Sequence, residues 1–103
     1  MKKKLLEIIN HYGVMPQLKY FQSEVFELNE AIIRERELYD NGGSFNYHKE
    51  LLEHIAEEIA DVMVMLEQFK FYYGIEDMDI KEIMFKKINR QIERIRKEEE
   101  ENE

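Results

Sequence analysis

Apolar residues recur along most of this chain at spacings of three and four, the rhythm of amphipathic helices rather than the alternation of strands. Leu5, Leu6, Ile8 and Ile9 form the first group and predict a short helix over 3–12. Leu18, Phe21, Val25, Leu28 and Ile32 form a continuous seam that predicts a helix over 16–39, with Pro16 favoured in its first turn. A third stripe, Leu51, Leu52, Ile55, Ile59, Val62, Met63, Leu66 and Phe69, predicts a helix over 47–73. Ile80, Ile83, Met84, Ile88, Ile92 and Ile95 mark a fourth, beginning near Asp79 as N-cap with Glu82 as its capping-box partner. The breaks fall at 13–16, at "DNGGS" (40–44) and at "YGIEDMD" (73–79), each rich in turn formers. The expected fold class is therefore all-α, an antiparallel helical bundle of about four helices per chain. Two long helices joined by a short turn carry more apolar surface than one thin protomer covers, so completion by homo-oligomerisation is expected.

The third stripe contains an anomaly. Its centre reads "HIAEEIADVMVML" (54–66), an apolar run with Glu57, Glu58 and Asp61 inside it. At about 100° per residue, Glu58 falls about 60° from Ile55, and Asp61 follows on the same side. Glu57 points away and is expected to be solvated. The second helix repeats the arrangement, with Glu24 and Glu27 three apart beside the Phe21, Val25 and Leu28 seam. Two acid pairs thus border the seams of two helices expected to lie side by side. Bare carboxylates gathered there repel one another and lose hydration. A hard divalent cation removes both costs, and an all-oxygen donor set selects Mg²⁺, Mn²⁺ or Ca²⁺. Mg²⁺ commonly bridges to a phosphate, which points toward nucleotide chemistry. A di-iron site would need Glu-x-x-His pairs, and the chain has none. The competing reading is ordinary solvated helix surface, since 23 acidic residues place carboxylates three apart by chance, as in the "EEEE" near the end.

Composition narrows the class. The 103 residues suit one domain with a modest core, and 44% hydrophobic content is enough to fold it. The organisation expected is one helical domain over 1–97 and an acidic tail over 98–103. The absence of cysteine excludes a disulfide framework, a thiol nucleophile and a cysteine-bound metal, and fits a cytoplasmic setting. "MKKKLLEIINHYG" starts like a signal peptide, but Glu7 and Asn10 interrupt its apolar run. No stretch reaches the roughly 18 apolar residues of a membrane span, so a soluble protein with no membrane partner is expected. A net charge of −8 argues against a nucleic-acid polymer as partner.

Together, "SEVFELNEAI" (23–32) and "EEIADVMVML" (57–66) resemble the double signature Glu-x-x-Glu and Glu-x-x-Asp of the MazG-like, all-α nucleotide pyrophosphohydrolase superfamily. The resemblance extends to the leading helix ending in "HYG", the approach "PQLKYFQSEVFEL" and a last helix rich in lysine and arginine. It implies hydrolysis of a nucleoside triphosphate to the monophosphate and pyrophosphate, with Mg²⁺, or Mn²⁺ as substitute, held by Glu24, Glu27, Glu58 and Asp61. Glu24 or Glu27 would also orient or deprotonate the attacking water, and the assembly would be a homodimer or homotetramer. Lys87 and Arg90, on the last helix, would reach the triphosphate; otherwise they are solvated partners of Glu93 and the tail. Two departures stand out: a long linker, "YDNGGSFNYHKELLEH", and Ser23 where many relatives have an acid. Two other readings remain beside this one. Phosphoribosyl-ATP pyrophosphohydrolase uses the same chemistry, and a non-catalytic helical oligomer or partner-binding module would turn the acid pairs into interface salt bridges.

Several further side chains have an ordinary reading and a chemical one. His54 is a surface or hydrogen-bonding histidine before it is a ligand, since Mg²⁺ prefers oxygen. Gln17 and Gln22 can read a base edge and Tyr20, Phe45 or Tyr47 can stack on one, against packing and solvation as the ordinary fates. Met63 and Met65 are read as core or interface filler.

Overall fold

A computed structural model describes residues 1–42 and 45–102, with the side chains of Phe45 and Asn46 left aside. Gly43 and Ser44 of the "DNGGS" break, the side chain of the stacking candidate Phe45 and Glu103 of the tail therefore lie outside what is described. The described chain is all-α: α1 spans Lys2–Tyr12, α2 Val14–Asp40, α3 Phe45–Tyr72 and α4 Asp77–Glu101, and no strand occurs among the described residues. It divides into two compact units, Met1–Tyr73 with α1 to α3, and Gly74–Glu103 with α4. Among the described residues no helix is long and apolar enough to cross a membrane.

A single residue separates α1 from α2. Gly13 adopts φ 93°, a conformation that side chains of L-residues resist, and its N–H still caps α1 by donating to the Ile9 carbonyl at 2.8 Å. Pro16 sits in the first turn of α2, where a missing N–H costs nothing. The sharp reversal lets α1 pack on α3 and, less extensively, on α2, with Leu5 and Ile9 buried. The long helices run antiparallel: Gln17 meets Gln68, Phe21 stacks edge-on against Phe69 at 5.7 Å, and Glu35 meets His48.

The buried line between α2 and α3 differs from the expected seams. On α2 the buried residues are Gln17, Glu24 and Ala31, spaced by seven; on α3 Leu51, Glu58 and Met65 repeat that spacing. The apolar seam residues flank this line and stay partly open, Val25 at 41%, Ile32 at 43%, Ile59 at 42% and Leu66 at 50% exposure. A seven-residue repeat is what keeps one edge of a helix facing a single partner, whereas the apolar arc is wider than one neighbour covers. Of the acids expected at the margin of the seams, Glu24 and Glu58 thus stand in the middle of the helix pair, while Glu27 and Asp61 remain exposed at its edge.

In the second unit, α4 begins three residues earlier than an N-cap at Asp79 implies. Its N-cap is Glu76, in extended conformation and without a side-chain cap, so the capping box at Asp79 is not the one that starts the helix. Asp77 and Asp79 instead lie in its first turn, where negative charge complements the helix dipole. The helix continues without a break through the acidic residues 98–101. As a lone helix, α4 buries none of its residues, its isoleucine stripe included.

Candidate functional site

The acid pairs meet across the α2–α3 contact. Carboxylate oxygens of Glu24, Glu27 and Glu58 all lie within 4.8 Å of one another. Spacing by three puts Glu24 and Glu27 on neighbouring turns of α2, and antiparallel packing brings Glu58 to Glu27 and Asp61 to Glu24. Asp61, more exposed, completes the ring electrostatically, its negative charge acting on both Glu24 and Glu58. Three of the four acids named from the sequence therefore gather their oxygens in one place, and Asp61 stands outside that close trio, acting on Glu24 and Glu58 through its charge.

Two of them are in an unusual state. Glu24 is 4% exposed and Glu58 7%, and the Oε2 atom of each is buried with no hydrogen-bond donor among the described residues. An acceptor stripped of water and given no donor costs free energy on the order of 1–3 kcal/mol, and more if charged. Burial pushes the carboxyl of Glu24 above its ordinary range, and the charges of Asp61 and Glu27 push it further against the opposing effect of the Tyr20 hydroxyl. Burial also raises Glu58, with Glu27 and Asp61 adding to the rise and His54 opposing it. His54 Nε2 lies 3.6 Å from Glu58 Oε1, so it addresses that oxygen and leaves Oε2 alone. Hydrogen bonding to Glu24, followed by the charge of that carboxylate, raises the Tyr20 hydroxyl in turn.

The donor set fits a hard divalent cation. It consists of carboxylate oxygens alone, it is gathered from two rigid helices, and it holds two buried oxygens that nothing in the described chain satisfies.

Two cavities border the acids. One of about 620 Å³ lies between α1, α2 and α3 and is lined by Asp61 together with Tyr12, Gln17, Tyr20, Met65 and Gln68 among others. Another of about 480 Å³ is lined by Glu27, Glu58, Glu30, Phe26, His54 and Arg34. Arg34 makes no ion pair with any described residue, although Glu27, Glu30 and Glu58 line the same space. It went unnoticed in the sequence because it follows the apolar run "AII" and belongs to no motif. Its position ten residues beyond Glu24, close to three helical turns, was the available signal. Of the other sequence candidates, Gln17 and Tyr20 line the larger cavity, while Gln22 and Tyr47 line neither. Met65 is buried, consistent with core filling, whereas Met63 is 57% exposed. Lys87 and Arg90 lie on α4, in the other compact unit.

Comparison of the chain with protein-family models, with curated proteins and with solved structures returns no match.

Proposed function

We propose that this protein is a Mg²⁺-dependent nucleoside triphosphate pyrophosphohydrolase, converting (d)NTP to (d)NMP and pyrophosphate in nucleotide-pool housekeeping. The observation that carries the reading is the meeting of Glu24, Glu27 and Glu58 with two buried carboxylate oxygens left unsatisfied. The resemblance of the two acid motifs to the MazG-like superfamily supports it from the sequence side.

Glu24, Glu27, Glu58 and Asp61 would hold the cation. Bound there, Mg²⁺ supplies charge neutralisation at the triphosphate and a lowered pKa for water. Glu24 and Glu58, buried between the two helices, would serve as its immobile ligands. Glu27 is the exposed member of the close trio and is the residue suited to orient the attacking water and accept its proton. The water oxygen forms the new bond to phosphorus, the anhydride link between the α- and β-phosphoryl groups breaks, and pyrophosphate leaves. Arg34 offers a cation for the phosphate chain from within the same unit, beside Glu27 and Glu58. A phosphate role for Lys87 and Arg90 rests on the resemblance.

The same reading includes a homodimer or homotetramer. Few apolar side chains are buried in Met1–Tyr73, and α4 by itself covers none of its stripe, so a second copy is the natural cover. Mass measurement in solution tests this, and Ile88→Glu with Ile92→Glu is expected to shift the assembly toward monomer.

Release of pyrophosphate and monophosphate from an NTP and dNTP panel, with Mg²⁺, Mn²⁺ or EDTA, tests the activity. Metal-dependent release supports it. No release under any condition, with Mg²⁺ leaving the melting temperature unchanged, favours a non-catalytic helical oligomer, for which the exposed apolar stripe of α4 is the supporting observation.

A further inference from the structure

The larger cavity is built around a buried amide pair that the acid site does not use. Gln17 is 7% exposed and Gln68 2%, and both line the cavity of about 620 Å³. Gln17 Nε2 donates to Gln68 Oε1 at 2.8 Å. The Met65 sulfur lies 3.6 Å from Gln68 Nε2 and 4.0 Å from Gln17 Nε2. That sulfur breaks the symmetry of the pair. As a weak acceptor it tolerates two amide nitrogens, whereas exchanging oxygen and nitrogen in both glutamines would turn two oxygens toward it. Turning one glutamine alone would set like atoms of the pair against each other. The network therefore fixes Gln17 with its nitrogen inward, and Gln17 Oε1 is left without a donor among the described residues. Unlike Glu24 Oε2 and Glu58 Oε2, it is not an atom sealed from solvent.

Around this acceptor stand surfaces suited to a flat heterocycle: the rings of Tyr12 and Tyr20, with Ile8 and Val64. Tyr20 joins the two regions, because its ring lines the cavity while its hydroxyl lies within hydrogen-bonding reach of Glu24. Asp61 lines the same cavity and belongs to the acid ring. A ligand with an aromatic head and a phosphate tail can place one in the cavity and the other at the acids.

Building on the pyrophosphohydrolase reading, we infer that this cavity takes the base of the nucleotide and that Gln17 Oε1 selects bases bearing an exocyclic amino group, as in cytosine and adenine, over their oxo counterparts. An amino group donates to the fixed acceptor. A carbonyl in its place sets oxygen against oxygen and leaves Gln17 unpaired on binding. Gln68 is a positioning residue: it holds Gln17 in the accepting orientation and lies too deep to be the principal contact.

The test compares dCTP with dUTP and dATP with dITP, pairs that differ at the amino position, in both kcat/KM and equilibrium binding of the full chain with Mg²⁺. The expected wild-type preference for the amino member is about tenfold or more, the scale of one hydrogen bond replaced by an unpaired polar group. Gln17→Leu is expected to bring the ratio close to one. Gln68→Leu is expected to reduce it too, whereas a purely structural role would change the two members of each pair alike. Preference within only one pair would narrow the ligand to a pyrimidine or a purine while supporting the selection. Equal turnover and equal binding of both members by the wild type would overturn the inference and leave the hydrolase reading standing. Selective binding without turnover would do the opposite, and absence of both turnover and binding would overturn both.

Discussion

The α2–α3 helix pair contains two buried polar layers, one heptad apart on α2, and they behave in opposite ways. At Gln17 and Gln68 one neutral amide donates to the other through a 2.8 Å hydrogen bond and both nitrogens lean on the Met65 sulfur, leaving only the less enclosed Gln17 Oε1 without a donor among the described residues. At Glu24, Glu27, Glu58 and Asp61 every group is an acceptor when ionised, so the layer cannot satisfy itself, and two of its oxygens are buried without a donor. An amide carries both halves of a hydrogen bond and a carboxylate only one. The first layer can contribute to the fold without help; the second costs stability until a proton or a cation arrives. A layer that weakens its own fold is the stronger indication of function.

The comparison breaks most sharply at Glu58. Glu58→Gln is expected to lower pyrophosphate release on the order of a hundredfold or more, the scale of losing one electrostatic partner in a site that stabilises charge. The helical circular-dichroism spectrum of this variant should stay unchanged. Retained activity would remove Glu58 from the site.

Cation binding comes next. Mg²⁺ at about a hundred times its dissociation constant should stabilise the wild type by roughly 2.7 kcal/mol through mass action. Thermal melts in Mg²⁺ and in EDTA would read this as a raised melting temperature, absent in Glu24→Gln/Glu58→Gln. Equal responses of the two proteins would mean that the acid layer is not where the cation binds.

In the amide layer the sign should reverse. Gln68→Leu leaves a buried donor of Gln17 without its acceptor and is expected to cost about 1–3 kcal/mol in urea unfolding. Gln17→Leu/Gln68→Leu should recover much of that loss. In EDTA, by contrast, Glu24→Gln/Glu58→Gln should be more stable than the wild type, because it removes charge from a layer that has no cation.

The smallest effect is the pH dependence of the metal-free fold. Glu24 and Glu58 have pKa values raised above the ordinary 4.5, so the folded chain keeps protons that the unfolded chain has released. Their contribution to stability is fully present below the unfolded value and is lost as pH rises through the raised folded values. Urea midpoints in EDTA should therefore fall, as pH rises above the ordinary carboxylate range, by more in the wild type than in the double glutamine variant. Identical profiles would show that these two groups do not titrate differently on folding.

The four helices were legible because each has its own periodic stripe and because Gly13, Gly42 and Gly74 interrupt the pattern where the chain turns, while Pro16 lies within the first turn of α2. The acid pairs were legible as well, since spacing by three on adjacent helices needs nothing beyond helical geometry and an antiparallel turn. Their depth was not. Counting angles from Ile55 places Glu58 beside the apolar stripe, and only the partner helix decides that the line through Glu24 and Glu58 is the one it covers while Val25 and Ile59 remain partly open. Arg34 escaped notice because an arginine after an apolar run has no signature until His54 and Glu58 of α3 are set opposite it.

What the sequence determined by itself was periodicity, which is local: helix existence, the turns, and which carboxylates share a face. What only the tertiary structure decided was which face is buried, which atoms lack a partner and which cavities adjoin the acids. Those properties belong to pairs of helices, and burial and hydrogen-bond satisfaction have no value for a residue until a second element is placed against it.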